Sequence, residues 1–395
     1  MITVNDFDFS KKKALIRVDF NVPLNDDLEV TDVTRIEAAK PTIIKILEDG
    51  GSCILISHLG RPKNNEPEFS LQSVVEAASE VFGVAVKFAT DCCGSSATEA
   101  VAALQPGEIL LLENLRYHEE ETKGDKQFAA SLAAFGDIYV NDAFGTAHRA
   151  HASTAVIAQF FTDRKCFGLL LASEIENLNK VLGASESPVT AVIGGAKVSS
   201  KITIIENILD KIDHLIIGGA MAFTFVKAQG GSIGSSLVED DKKSLALEIL
   251  QKAKDKNVTI HLPVDAVIAD SFSEFANTEI DPIGAIPDGW MGLDTGPKTN
   301  AQFRTVLLRS KTILWNGPVG VFEMEKFATG TISLGNAIAE ATENGAFSLV
   351  GGGDSVAAVK QFNLGKKVSY VSTGGGAMLE MLEGKTLPGV QAILD

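Results

Sequence analysis

Short apolar runs separated by longer helical patterns repeat along the whole chain, and this alternation restricts the possible folds more than any other feature. Lys13 to Val18, Ser52 to Ser57, Val86 to Phe88, Ile109 to Leu112 and Ile138 to Val140 are such runs, with helical patterns such as Arg35 to Glu48 and Ser70 to Phe82 between them. The rhythm returns at Val189 to Ile193, Leu215 to Ile217, Val258 to Leu262, Thr312 to Trp315, Phe347 to Val350 and Val368 to Val371. Strands alternating with helices predict βαβ units and parallel sheets. The expected fold class is α/β, with two Rossmann-like domains, each a parallel β-sheet flanked by helices. A length of 395 residues exceeds what one core usually supports and agrees with two.

Between the two series, Leu171, Ile175, Leu178 and Leu182 fall on one face of a helix, Gly183 stops it, and Ser185 to Pro188 reads as a turn. This helix is the expected hinge, over 172–184, joining an N-terminal domain 1–171 to a C-terminal domain 185–376.

In an open parallel sheet the loops after the strands share one edge, and ligands bind there. The two halves differ in what those loops carry. In the first, Val18 leads into Asp19-Phe20-Asn21, Ile56 into Ser57-His58-Leu59-Gly60-Arg61, Leu112 into Glu113-Asn114-Leu115-Arg116, and Val140 into Asn141-Asp142-Ala143-Phe144 and on to His148-Arg149. In the second, Ile193 runs into Gly194-Gly195-Ala196-Lys197, Ile217 into Gly218-Gly219, Trp315 into Asn316-Gly317-Pro318, Val350 into Gly351-Gly352-Gly353-Asp354 and Val371 into Ser372-Thr373-Gly374-Gly375-Gly376; Met291-Gly292-Leu293 is expected as a further loop of this kind. Guanidinium and imidazole groups suit a small anion, whereas bare backbone amides suit a nucleotide's phosphates. The chain is built to bring two different anions together.

Particular residues sharpen this. In the segment from Gly194 to Lys201 a strand ends in glycines and a helix is expected to begin, with Lys197 and Lys201 on one face of its first turn. The helix dipole disfavours cations there unless an anion lies among them. Gly351-Gly352-Gly353 allows close backbone approach to phosphates, and Asp354 would hold Mg²⁺, a hard cation that prefers carboxylate oxygen; the plain alternative makes Asp354 or Ser355 a helix cap. Arg35, His58, Arg61, Arg116, His148, Arg149 and His151 recur near strand ends of the first half, which fits a small phosphorylated acid. His148 and His151 have no cysteine or third histidine nearby in sequence and are not read as metal ligands.

Composition narrows the partners. A net charge of -16 argues against bulk attraction to nucleic acid or acidic lipid, so an anionic substrate must be caught by a local cluster. No apolar run approaches the roughly 18 residues of a membrane span, and the residues after Met1 lack a signal-peptide layout, so a cytoplasmic location is expected. Cys53, Cys92, Cys93 and Cys166 show no C-x-x-C spacing and are read as reduced thiols. No G-x-G-x-x-G follows a strand, and Gly384-Lys385-Thr386 fails as a Walker A loop because Leu379 occupies the first glycine's place.

Taken in order, Arg17 to Pro23, His58 to Pro62, Glu113 to Arg116, Asn141 to His151, Gly194 to Ile202, Trp315 to Glu323, Gly351 to Ser355 and Ser372 to Gly376 resemble the phosphoglycerate kinase family. Tyr117, where phenylalanine is frequent, and Ala220, where a third glycine is often seen, are small departures. The resemblance implies reversible phosphoryl transfer between 1,3-bisphosphoglycerate and Mg-ADP, giving 3-phosphoglycerate and Mg-ATP. It implies that Asp19, Phe20, Asn21, Arg35, His58, Leu59, Gly60, Arg61, Arg116 and Arg149 hold the glycerate substrate. Gly195, Ala196, Lys201, Gly219, Gly292, Leu293, Asn316, Pro318, Val321, Glu323 and Gly351 to Ser355 would surround ADP or ATP, with Asp354 on the metal. A monomer is implied, as is a tail, 377–395, that packs back on the N-terminal domain.

The chemistry is consistent without the resemblance. A carboxylate nucleophile, with a pKa of about 3.5, is already ionised at neutral pH, so no general base is needed. The chain has only to align reactants and neutralise charge on the moving phosphoryl group. Arg35, Lys197, Lys201 and the amides of Gly352 and Gly375 are the expected catalytic groups. Rival readings are a non-catalytic anion-binding scaffold on the same fold and a kinase for another phosphorylated carboxylic acid. Ligands on separate domains further predict hinge-bending closure.

Overall fold

The computed structural model describes residues 1–183 and 185–395. Ala184, the last residue of the expected hinge, lies outside the described residues. The chain divides into two compact units, Met1–Glu176 with Thr386–Asp395, and Asn177–Lys385.

The first unit is built on a six-stranded parallel sheet of β1 (Lys13–Arg17), β2 (Ser52–Ile56), β3 (Val86–Ala89), β4 (Ile109–Leu112), β5 (Ile138–Asn141) and β6 (Lys165–Phe167), in the order β3-β4-β2-β1-β5-β6. Its helices include α1 (Thr34–Glu48), α2 (Val75–Phe82), α3 (Gly94–Ala103), α4 (Glu119–Lys123) and α5 (Lys126–Ala133), and α6 (Leu169–Leu182) begins in it. Every residue of β2, β4 and β5 is buried, as parallel strands covered on both faces require. Ile16, Ile36, Ile43, Leu55, Val74 and Leu111 lie in one apolar cluster between the sheet and its helices. The order places β4, β2, β1 and β5 side by side, so the loops carrying the basic residues open on one edge. Strand β6 is an addition to the expected sheet; it pairs with β5 where the sequence offers only three strand residues.

The second unit contains β7 (Val189–Ile193), β8 (His214–Ile217), β9 (Ser232–Ile233), β10 (Thr259–His261), β11 (Asp265–Ala269), β12 (Thr278–Pro282), β13 (Ala285–Ile286), β14 (Met291–Thr295), β15 (Thr312–Asn316), β16 (Phe347–Val350) and β17 (Tyr370–Val371). Six form a parallel sheet in the order β10-β8-β7-β15-β16-β17. Its helices include α7 (Ile202–Ile208), α8 (Met221–Ala228), α9 (Lys243–Asp255), α10 (Pro297–Leu307), α11 (Thr329–Glu343), α12 (Gly353–Gln361) and α13 (Gly375–Leu382). The glycine loops follow β8, β7, β15, β16 and β17, which are consecutive neighbours.

Three findings correct the sequence reading. Met291-Gly292-Leu293 is not a loop of the parallel sheet: it lies in β14, which pairs antiparallel with β11 in a separate three-stranded sheet, β12-β11-β14. The helix after Gly195 starts at Ile202, later than expected, because Ser199 gives its N–H and hydroxyl to Glu239 and residues Val198–Ser200 tighten into a 3₁₀ turn. Lys197, extended, and Lys201 therefore flank that turn rather than share a helical face. Finally, α13 packs on α7, with Asn207 donating to the Leu382 carbonyl, and the chain rejoins the first unit at Thr386, later than residue 377. There, α14 (Pro388–Leu394) is fixed by Gly389 N–H to the Ala147 carbonyl, 2.8 Å, and by Lys165 Nζ to the Ala392 carbonyl, 2.8 Å.

Candidate active site

The ends of β1, β2, β4 and β5 enclose a pocket of about 220 Å³. Asp19, Asn21, Arg35, His58, Gly60, Arg61, Arg116 and Arg149 line it, joined by Gly145, Thr146 and His148. Arg35, on the first turn of α1, is half exposed and held by Asp19 Oδ1 at 3.1 Å and the Asn21 carbonyl at 2.9 Å. Asp19 thus orients Arg35, and its own charge would repel an anion. Asn21 Oδ1 in turn accepts the Gly60 N–H at 2.8 Å. Arg116 donates to the Gly60 carbonyl at 2.7 Å, and its Nε is buried with no partner among the described residues. Burial, and then the neighbouring Arg17 and Arg149, lower its pKa to about 10. The pocket is strongly cationic.

Phe20 and Leu59 do not line the pocket. Both side chains are buried in the core, Phe20 against Phe82, and only their backbones serve: the Phe20 N–H donates to Ser57 Oγ and Leu59 exchanges two hydrogen bonds with Asn114. Alternation along the loop turns these apolar residues inward.

Behind the pocket lies a network that sequence reasoning missed. Arg17, 1% exposed, donates from Nε to Ser153 Oγ at 2.8 Å, to the Val18 carbonyl, and from a terminal nitrogen to His58 Nδ1 at 3.3 Å. Ser153 passes its own N–H and hydroxyl to the buried Glu121 carboxylate at 3.0 and 2.7 Å. A guanidinium only donates, so His58 Nδ1 accepts and the ring proton sits on Nε2. Burial, then Arg17, Arg116 and Arg35, hold the His58 pKa well below 6.5. His58 is therefore a neutral donor among cations.

The second unit has a larger cleft, about 630 Å³, lined by the expected Gly195, Ala196, Gly219, Gly292, Leu293, Pro318, Val321, Glu323 and Asp354. Its remaining wall is mostly apolar, with Phe223, Leu237, Phe272, Ile283, Met291 and Met324, alongside Asp265, Asp294 and Thr295. An apolar slot ending in glycine loops suits a flat base followed by phosphates. Much of this wall comes from the antiparallel sheet, to which Met291, Gly292 and Leu293 belong as part of β14 rather than as a loop of the parallel sheet. Gly292 is required by packing: a Cβ there would lie 2.2 Å from the Phe223 ring.

The glycine loops have two roles. Gly194 and Gly195 donate to the Asn316 and Pro318 carbonyls at 2.9 and 3.2 Å, and Gly219 donates to the Val319 carbonyl at 3.3 Å. These amides are spent knitting the loops after β7, β8 and β15 together, and a Cβ on Gly194 would meet the Pro318 oxygen at 2.1 Å. Gly195, with φ +114°, and Gly219 shape the cleft rather than offer it amides. The amides of Gly352 and Gly353 before and at the start of α12, and of Gly375 and Gly376 at the start of α13, carry no protein partner among the described residues. Gly375 lies against Gly352, so the two helix starts together offer a set of free amides suited to an anion, next to Asp354 but not on the cleft lining itself. Ala220 enters α8 with φ -63°, so no third glycine is needed.

Lys201, Asn316, Gly351, Gly352, Gly353 and Ser355 do not line this cleft directly. Asn316 is buried and donates to the Gly351 carbonyl at 2.7 Å, while Ser355 Oγ accepts the Gly317 N–H at 2.5 Å; both tie the loops after β15 and β16 together. Lys201 is desolvated, which lowers its pKa against the opposing pull of Asp354 and Glu383. Lys197 is exposed.

A parallel sheet with a cationic pocket at its edge, followed in one chain by another with an apolar cleft and free helix-start amides, is the architecture of a two-substrate α/β phosphotransferase. A model of the phosphoglycerate kinase family matches residues 4–385, and the chain belongs to that family. It is 54% identical to the phosphoglycerate kinase of Porphyromonas gingivalis, covering 99% of this chain and 100% of that protein. It is 49% identical to the cytosolic phosphoglycerate kinase of Nicotiana tabacum, over 100% and 98% respectively. Among solved structures, phosphoglycerate kinase from Coxiella burnetii superposes with a TM-score of 0.91 at 42% identity, covering 100% of this chain and 98% of that one.

Proposed function

We propose that the chain catalyses reversible phosphoryl transfer from 1,3-bisphosphoglycerate to Mg-ADP, giving 3-phosphoglycerate and Mg-ATP, and that it works as a cytoplasmic monomer. The observation that carries this reading is the pairing, in a member of this family, of an arginine-lined pocket of about 220 Å³ with an apolar cleft of about 630 Å³. The first suits a small phosphorylated acid and the second a nucleotide.

In the ATP-consuming direction the acid's carboxylate attacks the terminal phosphorus without deprotonation, so the protein's contribution is alignment and charge neutralisation. Arg61, Arg116 and Arg149 hold the acid's own phosphate, with His58 giving a neutral hydrogen bond from Nε2. Arg35 faces the carboxylate and the migrating group, steadied by Asp19. Lys201, steadied by Asn316, and the amides of Gly352 and Gly375 receive the nucleotide's phosphates and the charge that spreads in transfer. Lys197, exposed before the 3₁₀ turn, joins them once substrates are bound.

The Asp354 carboxylate faces the cleft and is committed to no hydrogen bond or ion pair among the described residues, which fits it to hold Mg²⁺. Bound there, the ion neutralises phosphate charge.

Substrates held on separate compact units must meet, so closure pivoting on α6 belongs to the cycle and serves to exclude water. A coupled assay with 3-phosphoglycerate and Mg-ATP tests the reaction, and absence of turnover overturns it. Small-angle scattering tests closure: the radius of gyration falls with both ligands bound, and an unchanged value rejects the hinge.

A further inference from the structure

Outside both pockets, the loops after β3 and β4 bring together two thiols, an imidazole and a carboxylate. Asp91, Cys92 and Cys93 follow β3 and lead into α3, while His118 closes the 3₁₀ turn Leu115–Tyr117 after β4. The strands are neighbours, so the two loops meet, and one potential ligand atom from each of the four residues lies within 4.8 Å of all the others. Cys93 Sγ is 3.6 Å from His118 Nε2 and 3.8 Å from Asp91 Oδ1, and Nε2 is 2.8 Å from that oxygen.

We infer that Asp91, Cys92, Cys93 and His118 form a binding site for a soft, tetrahedral divalent cation of the Zn²⁺ class. Metal-to-sulfur bonds of about 2.3 Å and metal-to-nitrogen or oxygen bonds of about 2.0–2.1 Å, at tetrahedral angles, separate sulfur from nitrogen or oxygen by about 3.5 Å and nitrogen from oxygen by about 3.3 Å. The two sulfur distances already lie near that spacing. The imidazole and carboxylate, hydrogen-bonded to each other, need to part by only about 0.5 Å to admit the ion. Ligand orientation is set in advance: the His118 ring stacks on Phe128 with centroids 5.4 Å apart, and Asp91 Oδ1 accepts the Cys92 N–H at 2.7 Å. Cys92 is fully buried, whereas Cys93 and His118 are partly exposed, giving the ion a protein floor and an entry path. Thiolate ligands select against Mg²⁺, which keeps this site chemically separate from Asp354. On binding, the ion displaces the thiol protons into solvent and no redox change is involved. Because His118 closes the turn that carries Arg116, an occupied site would brace one wall of the anion pocket.

The test uses the reduced full-length chain, free of nucleotide, titrated with Co²⁺. The expected result is one equivalent bound, with a sulfur-to-cobalt charge-transfer band and the visible absorption of a tetrahedral site, both abolished by one equivalent of Zn²⁺. Cys93→Ser and His118→Gln each weaken Co²⁺ binding by more than about tenfold, with far-UV circular dichroism and thermal midpoint showing that the variants fold. Cys92→Ser is avoided as a primary test because its sulfur is buried. Absence of the charge-transfer band at equimolar Co²⁺, or a band of unchanged strength in the two folded variants, overturns the site.

Discussion

Lys201 Nζ donates to Asn316 Oδ1 at 2.6 Å, and the same asparagine donates from Nδ2 to the Gly351 carbonyl at 2.7 Å. One buried amide at the end of β15 thereby fixes a cation beside the loop that opens α12. Gly352, with φ +93°, completes the arrangement, since a Cβ there would lie 2.4 Å from Asn316 Nδ2. The lysine is desolvated and its charge incompletely answered, the state in which an arriving phosphate gains most.

Lys201→Ala should lower kcat by about 10²–10³-fold, the usual loss for one charge-stabilising donor. Leaving the buried Asn316 Oδ1 without its partner should cost about 1–3 kcal/mol of stability. Steady-state kinetics alongside urea unfolding separates the two, and near-normal turnover in the folded variant removes Lys201 from the transfer step.

Gly292→Ala should damage the nucleotide cleft alone. Its methyl group would need space now held by the Phe223 ring at 2.2 Å, pushing that ring into the apolar wall. Overpacking of this kind costs about 1–3 kcal/mol, so the ATP KM should rise by about 10–100-fold while 3-phosphoglycerate affinity, measured by calorimetry without nucleotide, stays constant. Equal losses at both sites would contradict the assignment of the cleft.

The parallel sheets were legible because buried strands read as apolar runs ending in loop residues, as Ile54 and Leu314 show within β2 and β15. The antiparallel sheet was hidden: β12, Thr-Glu-Ile-Asp-Pro, is largely exposed and has no apolar run, and β14 contains a glycine. Glycine loops announced themselves, but which amides are free depends on carbonyls contributed by other strands, as at Gly195 and Pro318. Arg17 stayed invisible as a tether because nothing local distinguishes a buried guanidinium from a surface one. The late start of α7 likewise depends on Glu239, distant in sequence.

His58 should recognise its ligand as a neutral donor. His58→Gln keeps an N–H near the Nε2 position and should change the 3-phosphoglycerate KM by less than about fivefold, whereas His58→Phe removes it and should raise KM by about 10–100-fold, the range for a hydrogen bond to a charged group. Since the ring's pKa is well below 6.5, the wild-type KM should show no inflection from His58 between pH 6.5 and 8. Equal impairment of the two variants, or an inflection that His58→Gln abolishes, would show a cationic imidazole instead.

Asp142 should make stability fall with pH. Its buried carboxyl caps the start of α6, accepting the Leu171 N–H at 3.1 Å, but the second oxygen has no partner. Burial outweighs the bonds from Thr42, Leu171 and Leu170 and raises its pKa from 3.8 to about 6. Between those values the folded chain holds a proton that the unfolded chain has lost, so the fold is progressively disfavoured as pH rises from about 4 to about 6, and by a constant amount above. At 1.36 kcal/mol per pKa unit, a difference of about 2 units amounts to about 3 kcal/mol. Asp142→Asn removes this titration while its carbonyl keeps the Leu171 bond. Relative to wild type, the variant should therefore gain about 2.5 kcal/mol between pH 4 and pH 7, since part of the loss has already occurred at pH 4, whatever its offset at pH 4 from an amide group placed where the unpaired oxygen lies. Urea unfolding of both proteins at the two pH values measures the gain, and a wild-type-to-variant difference that does not change with pH would show that Asp142 has the same pKa folded and unfolded.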